Sequence, residues 1–82
     1  MYELVYSDLS LKQLKKLDKE IQKRIISTIE RCRIRPQHHL QRLVDMPYYK
    51  LRVGDYRIII DLKEDKLMIF VVEMGHRKNI YN

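Results

Sequence analysis

Three cations are crowded into eight residues of this chain, Lys50, Arg52 and Arg57, around the dipeptide Gly54-Asp55. The runs on either side alternate apolar with polar residues, and Gly-Asp suits a two-residue hairpin loop. Such a loop sets Val53 against Tyr56, Arg52 against Arg57, Leu51 against Ile58 and Lys50 against Ile59. One face of the hairpin then carries Tyr49, Leu51, Val53, Tyr56, Ile58 and Ile60, which is a core face. The other carries Tyr48, Lys50, Arg52, Arg57 and Ile59. Like charges directly opposite in a sheet oppose folding, so the cluster points to a partner that supplies negative charge, phosphate above all. A solvated basic face with its cations splayed apart fits the same residues.

The elements that must position this cluster are legible around it. Glu3–Tyr6 has the alternation of a short strand. Ser7 is a helix N-cap, and Leu11, Leu14 and Leu17 follow at helical spacing. Asp18 reads as a second N-cap before Ile21, Ile25, Ile29 and Cys32, a stripe that packs on a sheet. Lys19, Lys23, Arg24, Arg31 and Arg35 lie largely off that stripe, and Pro36 ends the helix. Residues 36–47 read as a loop, with a helical turn around Leu40–Leu43. Strands are expected at Tyr48–Val53, Tyr56–Leu62 and Leu67–Met74, with a turn at 63–66. The last strand is apolar nearly throughout, as for an interior strand covered on much of both faces. The expected fold is α+β in the order βααβββ, two N-terminal helices on one face of a small, mainly antiparallel sheet, in a single domain over residues 1–82.

Composition narrows the function classes. The chain has 82 residues, a net charge of +6 and one cysteine. A single cysteine excludes an internal disulfide framework and a cysteine-based zinc knuckle. No apolar run reaches the length that spans a bilayer, and the start lacks the pattern of a signal peptide, so the expectation is a cytoplasmic protein with no membrane role. The positive charge is spread along the chain, which suggests a folded basic surface facing a polyanion. Cys32 belongs to the helix stripe and reads as core. The adjacent pair His38-His39 has no cysteine or carboxylate pattern beside it, and the acids Asp61, Glu64, Asp65 and Glu73 make no paired-carboxylate site. Neither a metal nor a cofactor is expected.

Taken together, the βααβββ order, Met-Pro before the hairpin, Tyr-Lys-Leu-Arg-Val-Gly-Asp-Tyr-Arg, and the tail Gly-His-Arg-Lys-Asn-Ile-Tyr resemble the RelE/ParE toxin superfamily, and its RelE branch most. The resemblance implies a ribosome-dependent endoribonuclease that cuts mRNA in the ribosomal A site without a metal, by attack of a ribose 2′-hydroxyl on the neighbouring phosphate. It implies the ribosome and mRNA as partners, and a RelB-type antitoxin in a hetero-oligomeric complex. Carried over position by position, the family's site residues fall on Lys50, Arg57, Arg77 and Tyr81. Tyr48 stands where the family pattern has a lysine, which brings in His76 beside Arg77 as a second candidate, with Lys50, for proton transfer. Arg57 offers a permanently charged fork to phosphate oxygens. Arg77 would be a second, electrostatic clamp, and Tyr81 would stack on a base or orient the 2′-hydroxyl. Arg52, Lys78, Lys23, Arg24 and Arg31 are the expected contacts to mRNA or ribosomal RNA. Two other outcomes fit the same fold: a gyrase-inhibiting toxin of the ParE type, and a RelE homologue that has lost its activity.

Overall fold

The computed structural model describes residues 1–76 and Lys78. Its elements are β1 (Glu3–Tyr6), α1 (Asp8–Lys15), α2 (Lys19–Arg31), β2 (Gln41–Arg42), β3 (Tyr49–Val53), β4 (Tyr56–Lys63) and β5 (Met68–His76), with 3₁₀ turns at Pro36–His38 and Glu64–Lys66. The strands form one sheet in the order β1-β5-β4-β3-β2. β1 runs parallel to β5 and every other pair is antiparallel. Both helices precede the hairpin strands, and the α+β class and βααβ order are as expected.

The hairpin register agrees with the reading from sequence at every pair. Val53 faces Tyr56, Arg52 faces Arg57, Leu51 faces Ile58 and Lys50 faces Ile59. Gly54 takes φ +59°, the left-handed conformation that a tight hairpin demands and that glycine adopts without steric cost. Strand alternation then sends Leu51, Val53, Ile58 and Ile60 into the core with Ile69, Val71 and Met74, where Leu14, Ile25, Ile29 and Cys32 meet them. Ile25, Ile29, Ile58 and Ile60 are fully buried. Burial of each such side chain contributes roughly 1.5–3 kcal/mol, and most of the stability of so small a chain resides in this layer.

β5 does not alternate strictly. Ile59 pairs with Glu73, but Ile60 pairs with Val71, so Val72 is an extra residue in the strand. This β-bulge inverts the side-chain parity. Strict alternation from Ile69 and Val71 would bury Glu73; the bulge buries Met74 instead and turns Glu73 to the other face. The bulge is held from α1. The Ser7 N–H donates to the Val71 carbonyl (2.9 Å), and the Ser7 hydroxyl donates to the Val72 carbonyl (2.6 Å). Ser7 Oγ also accepts the Ser10 N–H (2.9 Å), which is the helix cap, and the Met74 N–H donates to Gln13 Oε1 (2.6 Å). One serine thus starts a helix and fixes the parity of the neighbouring strand.

Several expectations need correction. Residues 36–47 hold a short fifth strand, β2, at the sheet edge, and the helical turn falls at Pro36–His38. α2 ends at Arg31, before Pro36 can act, with Cys32 as its C-cap. α1 turns Ser10 and Leu14 to the sheet and leaves Leu11 exposed. The Ser10 hydroxyl donates to the Ser7 carbonyl (2.9 Å), so a polar residue takes a buried place. Asp18 is the N-cap of α2 but makes no side-chain capping bond. Leu67 sits at φ +49° after the 3₁₀ turn, and β5 starts one residue later. β5 is interior, yet only one of its faces is fully buried; Met68, Phe70 and Val72 are half-buried. Burial pushes the Cys32 thiol up, and the nearby Arg31 charge only partly opposes this. A buried thiol held protonated is no nucleophile.

Candidate active site

The sheet face opposite the helices gathers the hairpin cations. Register places Lys50, Ile59 and Glu73 in one cross-strand row and Arg52, Arg57 and Gly75 in the next. Ile59 is fully buried although it belongs to this open face, so it forms an apolar floor between Lys50 and Glu73. Lys50 and Arg57 are half-buried and Arg52 is exposed. A half-buried cation on a rigid strand is better placed to grip a ligand than one on a mobile loop. The Arg52 Nε–H makes a long contact of 3.4 Å to the Gly54 carbonyl, which draws it toward the hairpin tip. At the far end of the face, Lys63 pairs with Asp61 at 3.1 Å.

Glu73 is the residue that sequence reasoning passed over. Its position in an apolar run gave no sign that it would join the cations, because the parity change at Val72 is invisible in the sequence Val-Val. With the bulge in place, a carboxylate stands across Ile59 from Lys50. Acid and cation therefore flank one floor residue, an arrangement with both a proton acceptor and positive charge.

His76 is not brought to this face. It pairs with Tyr56, a core-side residue, and the two rings meet edge to face with centroids 5.6 Å apart at 74°. The Lys78 N–H donates to His76 Nδ1 at 3.3 Å. The same parity change that turns Glu73 outward turns His76 to the helix side, away from Lys50 and Arg57. Lys78 is exposed. Arg77 and Tyr81 lie outside the described residues.

The basic residues of α2 occupy different sides of the helix. Lys23 is exposed and opposite the buried Ile25. Arg24 turns to the hairpin tip, its guanidinium 3.5 Å from where a side chain on Gly54 would begin, and with Ile21, Val53 and Tyr56 it lines a small cleft of about 200 Å³. Arg31 lies one stretch further along the same flank, its Nη2 donating to Thr28 Oγ1 at 3.2 Å. Among the described residues no three His, Cys, Asp or Glu side chains group as a metal site, and no helix is long and apolar enough to cross a membrane.

Against known proteins, residues 4–81 match the family described as ParE toxin of type II toxin-antitoxin system, parDE. The chain is similar to the mRNA interferase toxin RelE of Escherichia coli K12, 27% identical over 81 residues that cover 94% of this chain and 84% of the relative. Among solved structures it resembles the toxin fold in the intact Escherichia coli RelBE toxin-antitoxin complex, with TM-score 0.79, 25% identity, and coverage of 93% and 96%. It also resembles a chain of the RelB-RelE antitoxin-toxin complex of Methanococcus jannaschii, with TM-score 0.71, 30% identity, and 94% of each chain covered.

Proposed function

Because this chain belongs to the RelE/ParE superfamily of type II toxin-antitoxin toxins, we propose that it is a ribosome-dependent endoribonuclease that cuts mRNA on the open face of its sheet. The observation that carries this reading is the set of Lys50, Arg52 and Arg57 on one rigid face, with Glu73 turned into the same set by the bulge. In the reaction the 2′-oxygen attacks the adjacent phosphorus and the bond to the 5′-oxygen breaks. The products are a 2′,3′-cyclic phosphate and a 5′-hydroxyl, the departing 5′-oxygen taking its proton from solvent water. Arg57 forks onto the non-bridging oxygens as charge builds there. The 2′-hydroxyl proton goes to Glu73 or to Lys50 as its free amine, the two groups flanking Ile59 that can accept one. Arg77 and Tyr81 join from the tail as the resemblance implies, Arg77 on the leaving-group side and Tyr81 against a base. His76 takes no part in the chemistry, since it packs on Tyr56 on the far side of the sheet.

A cationic face of this kind suits an enzyme whose substrate is positioned by the ribosome in the cytoplasm. A RelB-type antitoxin would hold the toxin inactive in a hetero-oligomer, covering the cationic face or the sheet edges. The test is mRNA cleavage on programmed ribosomes with an empty A site, beside the same RNA alone. Cleavage with ribosomes and little without them is the expected result; equal cleavage of naked RNA would sink the ribosome-dependent version.

The family description names ParE, and the resemblance to that branch implies a second reading, a gyrase-inhibiting toxin on the same fold. That reading expects inhibition of gyrase supercoiling by the purified chain and intact mRNA on ribosomes. The RelE reading expects the reverse.

A further inference from the structure

The end of α2 carries a second cationic feature, on a different part of the surface from the open sheet face. Arg31, Ile34, Arg35, His38 and His39 line an open hollow of about 540 Å³, a volume in the usual range for small-ligand sites. We propose that this hollow binds one unstacked nucleotide of single-stranded RNA, with its phosphate on Arg31 and Arg35 and its base against the imidazoles and Ile34. The proposal deepens the endoribonuclease reading and rests on RNA being the substrate.

The loop is built to hold these groups in place. Pro36 and Leu40 are buried, and the N–H groups of His39 and Leu40 both donate to the Pro36 carbonyl, at 3.0 and 3.1 Å. Between these anchors His38 and His39 remain exposed. Arg35 adopts φ +55°, a left-handed conformation that is strained for a non-glycine residue. The kink folds the chain back so that the histidines come beside Arg31. A glycine would be the relaxed choice there, so the arginine stands against local preference.

Charge and shape favour a nucleotide. Glu30, the acid nearest in sequence, is turned to Arg33 at 3.1 Å and does not neutralise the hollow. The partial negative charge at a helix C-terminus accounts for arginines nearby. It does not account for two exposed imidazoles around an isoleucine that is itself 60% exposed. Flat guanidinium and imidazole faces over an apolar floor are what an unstacked base uses, and a phosphate takes the guanidinium forks. Carboxylates of an acidic peptide would use the forks and leave the flat faces idle. The hollow also connects with the site already described. Arg24, Thr28 and Arg31 lie on one flank of α2, with Arg24 at the hairpin tip and Arg31 in the hollow. A strand leaving the open face past Gly54 meets cations along the way.

The test is a titration of the full chain with a 2′-O-methyl RNA hexanucleotide, followed by NMR at the ring protons of His38 and His39. This probe has no free 2′-hydroxyl to attack phosphorus, so failure of the nuclease reading would leave the result standing. Expected are upfield ring-current shifts of those protons, preserved in Arg57→Ala. Arg35→Gly is expected to weaken binding about tenfold, as for loss of one charge-assisted contact. It should also reduce the salt dependence, log K against log salt, by about 0.7. Its melting temperature should equal or exceed that of the wild type, because glycine relieves the positive φ. Unmoved histidine resonances, or unchanged affinity in Arg35→Gly, would overturn the proposal. So would hexaglutamate moving the same resonances at equal or higher affinity, which would make the hollow a docking place for an acidic peptide.

Discussion

The two faces of the sheet are made by the same strands and do opposite things. On the helix side, Leu51, Val53, Ile58, Ile60, Val71 and Met74 close into one buried cluster. On the open side, one residue away in each strand, Arg52 stands directly against Arg57, a pairing that opposes folding. The first face makes the fold stable and the second draws on that stability to keep charge together. Substitutions on the two faces should therefore separate cleanly into losses of folding and losses of function.

The largest effect belongs to the core face. Ile58→Ala should cost about 2–5 kcal/mol of stability, read from urea denaturation, and lower activity only through the unfolded fraction. On the open face, Glu73→Gln tests the carboxylate that the bulge turns outward. If Glu73 takes the 2′-hydroxyl proton, single-turnover cleavage should fall by about 10²-fold or more with little change in melting temperature; unaltered cleavage would leave Lys50 as the acceptor. Ser7→Ala removes the hydroxyl that caps α1 and braces the bulge, and should cost about 1–2 kcal/mol. Arg52→Thr should stabilise the hairpin by about 0.5 kcal/mol while weakening RNA binding, so that the two faces move in opposite directions in one variant.

The smallest effect tests a detail of the core. The Tyr6 hydroxyl is buried without a hydrogen-bond partner among the described residues, and burial, then the charge of Glu30, raise its pKa. Its folded pKa thus lies above the unfolded value. No stability is lost through this group below about pH 10, and stability falls as pH rises beyond that. Tyr6→Phe should stabilise by about 0.5–1 kcal/mol at neutral pH and flatten the alkaline limb of the stability curve.

What could be read from sequence follows the strength of the local signals. The hairpin register was legible because Gly54-Asp55 fixes the loop and a one-residue slip would expose every core residue. The Ile21, Ile25, Ile29 and Cys32 stripe was legible because its period is sustained. β2 was not, since two residues carry no period. The bulge was not, because Val71 and Val72 are equally apolar and the Ser7 hydroxyl that supports it is distant in sequence. That single parity change brings Glu73 beside the cations and turns His76, a candidate for its place next to Arg77 in sequence, to the other face. The buried Ser10 escaped for a similar reason, as its place depends on a hydrogen bond to Ser7 and not on hydrophobicity.

The central claim is that the open face performs the chemistry while contributing little to the fold, and Arg57→Ala tests it most directly. Its melting curve and its mRNA cleavage on empty-A-site ribosomes should be measured on the same preparation. The expected result is a stability within about 1 kcal/mol of wild type and cleavage reduced about 10²–10³-fold, as for loss of one preorganised donor to a developing charge. A well-folded Arg57→Ala protein that still cuts at the wild-type rate would contradict it.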